Sequence, residues 1–411
     1  MENYLLFGLG ASNGALLEHF DHDSWAEKVK LHVSSDKLDE LQGVPKKYLL
    51  PPDEVSSHDF DRVFVPPGIP LGHWIHSRYE VENEIQFAAQ YFSGKMIGIT
   101  GTNGKSTLCK LVDDVLELLG YKAAIAGNFG TPLTKLIGQD LDYIVIELSS
   151  FQLHSLNQPF LDLAVITQIE DDHLDWHVSS EHYYQSKLKI FDLLKGNASK
   201  GLVSPDLYPD LLVAKGGVAD NVSSCQASSD MHWVNLVPGH LQCSFLLLES
   251  ILDALNLDKG SIDKLEFTPL DHRMEDLGKV NEIRFVNDSK ATTPGATFHA
   301  LKYESSSRIH LILGGKSKGL ELMNLLSGLS LAAHKIEGVS LYGDLWKSRE
   351  DFVKAGFQVS GAKSWNSMVE KLEKVLTPGQ TCLLSPAFSS LDQFSSFKER
   401  GEAFKRFVKR M

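Results

Sequence analysis

The chain has 411 residues, more than one hydrophobic core usually organises, so two or three domains are expected. With 43% hydrophobic and 23% charged residues, 32 glycines and 15 prolines, it has the composition of an ordinary globular protein, which excludes a fibrous or disordered one. A formal charge of −13 argues against a general nucleic-acid binder but leaves small phosphorylated ligands open, because helix termini and a few lysines can hold an anion locally.

Cys109, Cys225, Cys243 and Cys382 are widely spaced and form no Cys-x-x-Cys pair. Neither a disulfide framework nor a zinc ribbon is expected, and a reducing cytoplasm fits best. No run approaches the roughly 18 apolar residues that cross a bilayer, and MENYLLFGLGASNG has no positive segment before its apolar part. Neither secretion nor membrane insertion is expected.

Tyr4 to Phe7, followed by Gly8, Gly10 and Gly14, reads as a strand, a tight turn and a helix start. The third glycine falls one position late for a dinucleotide fingerprint, so a plain turn and a nucleotide-diphosphate site both stay open. Further strands are expected at Lys30 to Val33 and at Arg62 to Val65, the latter stopped by Pro66-Pro67-Gly68. Glu80 to Tyr91 is expected to be the last helix of this first domain, with Ile85, Ala88 and Ala89 on one face and Ser93-Gly94 as a hinge.

The strongest local signal is Met96 to Thr107, MIGITGTNGKST, a buried strand running into a glycine-rich loop and a helix. Gly98, Gly101 and Gly104 let the backbone approach an anion, and the amides opening the helix point at it. In such a loop Lys105 contacts the terminal phosphates and Ser106 or Thr107 holds magnesium. The general pattern carries a glycine five positions before Gly104, where this chain has Ile99. The helix after the loop is expected over Leu108 to Leu119, ended by Gly120.

A strand at Ala123 to Ala126 leads into Gly127-Asn128-Phe129-Gly130, and Tyr143 to Glu147 reads as a buried parallel strand tipped by a carboxylate. Glu147 either caps a turn or holds magnesium; the second reading is favoured because a phosphate loop needs another acid for its metal. Leu163 to Thr167 repeats the pattern and delivers Glu170, Asp171, Asp172, His173 and Asp175, either a metal site or a solvated loop, with His173 the ligand candidate. Ser179 or Ser180 can cap the next helix, whose apolar stripe of Tyr184, Leu188 and Phe191 leaves Lys187 beside the buried face. On sequence alone a surface lysine is the reading for Lys187.

Gly201 to Asp230 shows no strong pattern, and Leu241 to Leu255 reads as an amphipathic helix. A third domain opens at His272-Arg273 and at Phe285 to Thr292, a strand ending in a polar cluster before a helix near Pro294. Strands at Ile309 to Leu313, Gly338 to Tyr342 and Thr381 to Leu384 alternate with a helix at Trp365 to Leu376, which predicts a parallel sheet. The fold class is therefore α/β with three domains, residues 1–92, 93–269 and 270–411: an amino-terminal Rossmann-like domain, a central phosphate-loop ATPase-type parallel sheet and a carboxy-terminal Rossmann-like domain.

Across all three the chain resembles the Mur ligase family. The family marks are GITGTNGKST, GNFG, VIELSSFQL, DDHLDWH and YYQSKLKIF, while NDSKAT at Asn287 to Thr292 and LLSPAFSSLDQFSSFKERG at Leu383 to Gly401 resemble its D-glutamate-adding branch. The resemblance implies an ATP-dependent amide ligase of peptidoglycan precursor synthesis. ATP phosphorylates the carboxylate of UDP-N-acetylmuramoyl-L-alanine, and the amine of D-glutamate displaces the phosphate. It also implies two magnesium ions, small-molecule partners only, neither nucleic acid nor membrane, and a cytoplasmic monomer.

By the same resemblance, Gly101, Thr102, Asn103, Gly104, Lys105, Ser106 and Thr107 cradle ATP, Arg273 reaches its phosphates and Asp288 its ribose. Asn128 and Glu147 surround the metal and the acyl phosphate. His173 holds the second magnesium, and Lys187 matches a lysine carried as a carbamate, which reverses the surface reading. Gly10, Ala11, Ser34, Ser35, Asn128, Ser149 and Gln152 fall to the UDP substrate, and His272 orients substrate. Lys290, Thr292, Lys318, Ser390 and Phe397 fall to D-glutamate, lysines and hydroxyls being matched to its two carboxylates. Two departures stand out. The amides expected for adenine are absent from Gly239-His240-Leu241-Gln242-Cys243-Ser244, and Pro66 replaces a serine that can contact the UDP diphosphate. A folylpolyglutamate-type ligase and a phosphate-loop nucleotide switch are the rival readings. The Asn287 and Leu383 motifs weigh against the first, and Lys187, Lys290 and Lys318 against the second.

Overall fold

The computed structural model describes residues 1–411 except 38–40, 170–175, 178, 197, 206, 208–220, 226–236 and 317–319. The chain divides into two compact units, one of Met1–Val237 with Leu241–Phe267 and one of Pro238–His240 with Thr268–Met411.

The first unit holds two parallel sheets. Strands β1 (Glu2–Phe7), β2 (Val29–Ser34), β3 (Arg62–Phe64) and β4 (Val81–Glu82) pair in the order β2-β1-β3-β4. The chain leaves β1 to one side for β2 and returns on the other for β3, the switch in strand order beside which open α/β sheets bind ligands. Gly8, with φ +80°, turns the chain there, and Gly10 opens the helix Ala11–Phe20. The expected helix over Glu80 to Tyr91 is corrected to Glu84–Ala89. Val81–Glu82 pairs with β3 instead, and the Asn83 side chain accepts the Gln86 amide to start the helix. Ile85, Ala88 and Ala89 are buried as expected.

The second sheet comprises β5 (Lys95–Thr100), β6 (Ala123–Gly127), β7 (Tyr143–Glu147), β8 (Leu163–Ile166), β9 (Lys200–Val203) and β10 (Val222–Ser224). Its order is β10-β9-β8-β5-β7-β6. Ile99 and Gly127 both pair with Glu147, and Thr100 pairs with Ile166, so the strand tips meet at one edge. The helix Lys105–Leu118 buries Leu108, Leu111, Val112, Val115 and Leu116 against this sheet. Each such side chain stabilises the fold by about 1.5–3 kcal/mol. Packing therefore fixes this helix, whose N-cap Gly104 offers no side-chain hydrogen bond. Gly120, at φ +84°, follows its end.

The second unit contains β11 (Glu275–Val280), β12 (Ile283–Asn287), β13 (Ile309–Gly314), β14 (Ile336–Tyr342), β15 (Val359–Gly361) and β16 (Thr381–Ala387), ordered β11-β12-β16-β13-β14-β15. The sheet is parallel except at one edge, where β11 runs antiparallel to β12. Asn281 and Glu282, both at positive φ, make the hairpin turn, and KVNEIRF lacks the Asn-Gly pair that signals such a turn. The helix Phe397–Arg410 buries Ala403, Phe404, Phe407 and Val408 in the core that also holds Phe285. No helix among the described residues is long and apolar enough to cross a membrane.

Candidate active site

The loop between β5 and the helix Lys105–Leu118 is shaped by backbone geometry. Gly101 sits at φ +144° and Gly104 at φ +82°, both in the region that favours glycine. A side chain on Gly101 would collide with the Thr167 hydroxyl, which lies at the tip of β8 and donates to the Asn103 carbonyl at 2.6 Å. The Thr102 amide donates to the Gln168 carbonyl at 2.6 Å, and the Thr102 hydroxyl lies 3.0 Å from that of Tyr183. Lys105 folds its Nζ back onto the Gly101 and Thr102 carbonyls, 2.9 Å from each. Thr107 follows two residues into the helix.

Glu147, at the tip of β7, is buried beneath this loop. Its Oε2 accepts the Ser106 hydroxyl and its Oε1 accepts Asn128 Nδ2 at 2.6 Å, while the Asn128 amide donates to the Glu147 carbonyl at 2.9 Å. A hydroxyl and a carboxylate side by side are the hard oxygen donors a magnesium ion takes, so the pair fits that ion. No group of three or more His, Cys, Asp or Glu side chains among the described residues would hold a metal by itself. Phosphate oxygens and water would therefore complete its shell. His173 lies outside the described residues.

Lys187 is 2% exposed, which corrects the surface reading drawn from sequence alone. Its Nζ donates to the Gly101 carbonyl at 2.7 Å and sits 4.7 Å from the Tyr183 ring centre. The helix Ser180–Leu188 starts on Ser179, whose side chain accepts the His182 amide; Tyr184 packs, partly buried, on the core that holds Leu188 and Phe191, and Tyr183 is buried as well. Tyr183 and Lys187, four apart, share one helical face turned to the loop. Thr167 and Tyr183 also contact the loop, a role that the motif reading did not assign to either.

Around Gly10 and Ala11 at the end of β1, Ser34 and Ser35 at the end of β2 are both buried, and the Ser34 hydroxyl has no hydrogen-bond partner among the described residues. Ser149 and Gln152 form a reciprocal capping box at the start of the helix Ser150–Ser155, just beyond Glu147. Asn83 Nδ2 donates to the Gln152 carbonyl at 3.2 Å and to Ser155 Oγ at 2.8 Å, tying the two sheets of this unit together.

In the second unit the predicted residues gather at the ends of β12 and β16. Burial pushes the Asp288 carboxyl up to about 7; it accepts the Ser385 hydroxyl at 2.9 Å and the Met274 amide at 3.2 Å, with Arg273 a weaker opposing influence. His272, at φ +64°, is buried, and that burial lowers its ring pKa. Lys290 takes the His272 carbonyl on its amide and holds Nζ 4.2 Å from the Phe397 ring centre. The Ser390 side chain is buried, Thr292 is half-buried, and Lys318 lies outside the described residues. Unforeseen is Arg400, fully buried. Its guanidinium donates to Ser289 Oγ (3.0 Å), the Ser289 carbonyl (2.7 Å), the Phe388 carbonyl (3.0 Å) and the Tyr342 hydroxyl (3.2 Å).

Residues 99–215 match the Mur ligase middle domain. A UDP-N-acetylmuramoylalanine--D-glutamate ligase from Francisella tularensis is 32% identical over 374 residues, covering 87% of this chain and 88% of that protein. Among solved structures, the UDP-N-acetylmuramate-alanine ligase of Thermotoga maritima is 16% identical and superposes with a TM-score of 0.59, covering 100% of this chain and 99% of its own. The MurF ligase of Thermotoga maritima, solved with ADP, is 14% identical with a TM-score of 0.60, covering 100% and 96%. At such identities the two structures establish a shared fold.

Proposed function

The chain belongs to the Mur ligase family, and from that premise we infer how its own residues carry the reaction. It is an ATP-dependent ligase that adds D-glutamate to UDP-N-acetylmuramoyl-L-alanine in peptidoglycan precursor synthesis. In our assignment the alanyl carboxylate attacks the γ-phosphorus of ATP and ADP leaves, forming an acyl phosphate. The D-glutamate amine, unprotonated, then attacks the acyl carbon. The tetrahedral intermediate collapses to the amide and expels inorganic phosphate.

The loop amides from Gly101 to Thr107 receive the ATP phosphates, and Lys105, once it swings from the Gly101 and Thr102 carbonyls, meets the charge that develops on the transferred group. Asn128 orients Glu147 and faces the acyl oxygens. Ser106 and Glu147 would hold one magnesium ion, and His173 with Lys187 would hold a second. Magnesium bound there would supply positive charge to phosphoryl and acyl oxygens. For Lys187 this requires addition of carbon dioxide to the amine with loss of a proton, which turns a cation into an anionic oxygen ligand. Arg273 is assigned to the ATP phosphates and Asp288 to the ribose. Lys290, Thr292, Lys318, Ser390 and Phe397 are assigned to D-glutamate, and Gly10, Ala11, Ser34, Ser35, Ser149 and Gln152 to the UDP substrate. We place the reaction in the cytoplasm and assign it to a monomer and to domains at 1–92, 93–269 and 270–411.

The observation that carries this reading is Glu147 held between Ser106 and Asn128 beneath a loop whose Gly101 carbonyl receives a buried lysine. A plain nucleotide switch has no use for that lysine. Purified protein with ATP and magnesium is expected to release phosphate only when UDP-N-acetylmuramoyl-L-alanine and D-glutamate are both present. Release that persists at the same rate without D-glutamate would defeat the reading.

A further inference from the structure

The chain carries two Asn-Gly pairs, Asn13-Gly14 and Asn103-Gly104. In this dipeptide the asparagine amide is open to an intramolecular reaction, because glycine has no side chain to shield its backbone nitrogen from the asparagine Cγ. The two pairs sit in opposite surroundings.

Asn13 is 1% exposed, and its Nδ2 donates to the Gly8 carbonyl at 2.9 Å, the Phe64 carbonyl at 3.0 Å and the Phe7 carbonyl at 3.4 Å. The Gly14 amide lies within the helix Ala11–Phe20 and donates to the Gly10 carbonyl at 2.9 Å. There the leaving group is held and the nucleophile is occupied. Asn103 is half-buried. Gly104, the N-cap of the helix Lys105–Leu118 at φ +82°, gives its amide to no backbone carbonyl among the described residues.

Cyclisation requires that amide nitrogen to shed its proton. The negative charge so formed spreads onto the oxygen of the same peptide, which is the Asn103 carbonyl. That oxygen accepts the Thr167 hydroxyl at 2.6 Å, a bond that strengthens as charge develops. In the same loop the Gly101 and Thr102 carbonyls hold the ammonium group of Lys105, and the Gly101 carbonyl holds that of Lys187. These cations favour negative charge nearby, as does the opening turn of the helix. Features suited to receiving phosphate therefore also acidify the amide beside Asn103.

We propose that Asn103 is a deamidation site, activated by the phosphate loop and shielded when a nucleotide fills it. The Gly104 nitrogen, its proton taken by solvent base, bonds to Asn103 Cγ. The Cγ–Nδ2 bond breaks, and Nδ2 takes up a proton and leaves as ammonia. Water then opens the cyclic imide at either carbonyl, leaving aspartate or isoaspartate at position 103. Both products set a carboxylate among groups arranged for phosphate, and isoaspartate also adds a carbon to the backbone ahead of Gly104. Nucleotide binding is lost. The chemistry at Asn103 goes beyond the ligase reading; the shielding rests on the assignment of the loop to ATP.

In the test, the full chain is incubated at mildly alkaline pH with and without ADP and magnesium. Mass spectrometry of its digest then follows the acid and isoacid forms at positions 103 and 13, in wild type, Thr167→Val and Thr167→Ser. Wild type without ADP is expected to convert Asn103 while Asn13 stays intact, with ADP-binding capacity falling in step. ADP at about 100 times its dissociation constant should slow conversion at least about 10-fold, as empty loops become rare. Thr167→Val should slow it about 10-fold, while Thr167→Ser, which keeps the hydroxyl, should retain the wild-type rate. Conversion of Asn103 no faster than that of Asn13 overturns the proposal, as does an equal or higher rate in a folded Thr167→Val protein. Unslowed conversion in protein that calorimetry shows to be saturated with ADP also overturns it, as does converted protein that binds ADP in full. Should Thr167→Val fail to fold, the contrast with Asn13 and the shielding by ADP decide the matter. Absence of ADP binding in fresh protein would instead defeat the assignment of the loop to ATP, and the Asn13 contrast with the Thr167 variants would still decide the deamidation.

Discussion

The phosphate loop of the first unit and the polar cluster of the second hold charge in opposite ways. The loop places Lys105, Lys187 and Glu147 among neighbours that a ligand can replace: backbone carbonyls take both ammonium groups, and a hydroxyl and an amide take the carboxylate. In the cluster, Arg400 is fully buried and its four hydrogen bonds go to neutral oxygens that lock β14 and the segments after β12 and β16 to the last helix. One arrangement is poised to exchange partners. The other is a fixed strut, and a change in it should be felt as lost stability before lost chemistry.

That contrast is broken or sharpened by substitution. Lys105→Ala is expected to lower kcat/KM by at least about 10³-fold, since it removes charge that acts on the transferred phosphoryl group, with little change in thermal midpoint. A large fall in the midpoint would make Lys105 a structural residue and erase the distinction. Arg400→Met takes the guanidinium from the Ser289 and Phe388 carbonyls and the Tyr342 hydroxyl, while the Ser289 hydroxyl keeps its bond to the Phe397 carbonyl, and chemical denaturation should report a loss of about 3–5 kcal/mol. Wild-type stability in that variant would mean the strut does not bear on the fold.

Lys187→Ala should cost about 100-fold in kcat and regain part of it with added short carboxylic acids that fill the carbamate's place. Absence of recovery at any concentration would leave Lys187 as a buried amine holding the loop. Smaller still is the effect of pH on the second unit. Burial raises the Asp288 carboxyl from 3.8 to about 7, so between those values the folded protein binds the proton that the unfolded chain releases. Its contribution is complete below about pH 4 and is lost as pH rises through 7. Asp288→Asn should flatten that stretch of the stability curve, measured by denaturant unfolding at pH 5 and pH 8. An unaltered slope would assign it to other groups. Tyr183→Phe, which removes the hydroxyl 3.0 Å from Thr102, should lower stability by only about 1 kcal/mol.

The same contrast decides what the sequence discloses. Loop residues are contiguous: glycines where φ must be positive, a lysine opening a helix, and a carboxylate tipping an apolar strand all lie within short windows. The parallel alternation of strand and helix, and hence the α/β class, follows from such windows too. Arg400 lies 111 residues from Ser289, and nothing local in KERGEAF distinguishes it from the exposed Lys398 and Glu399 beside it. Lys187 misleads for a related reason. Its neighbours Gln185, Ser186 and Lys189 are polar, while the carbonyl that receives it is 86 residues away. Val81–Glu82 is too short to show an alternating pattern, so its pairing with β3 was legible only in three dimensions.

The central claim is that the buried acid, the loop lysine and Lys187 serve an acyl phosphate made on the substrate carboxylate. It is tested most directly by labelling that carboxylate with oxygen-18 and analysing the phosphate released during D-glutamate addition. Attack of the carboxylate on ATP, followed by displacement at carbon, carries one labelled oxygen into each phosphate formed. Unlabelled phosphate, with the departing labelled oxygen found in water, would contradict the account.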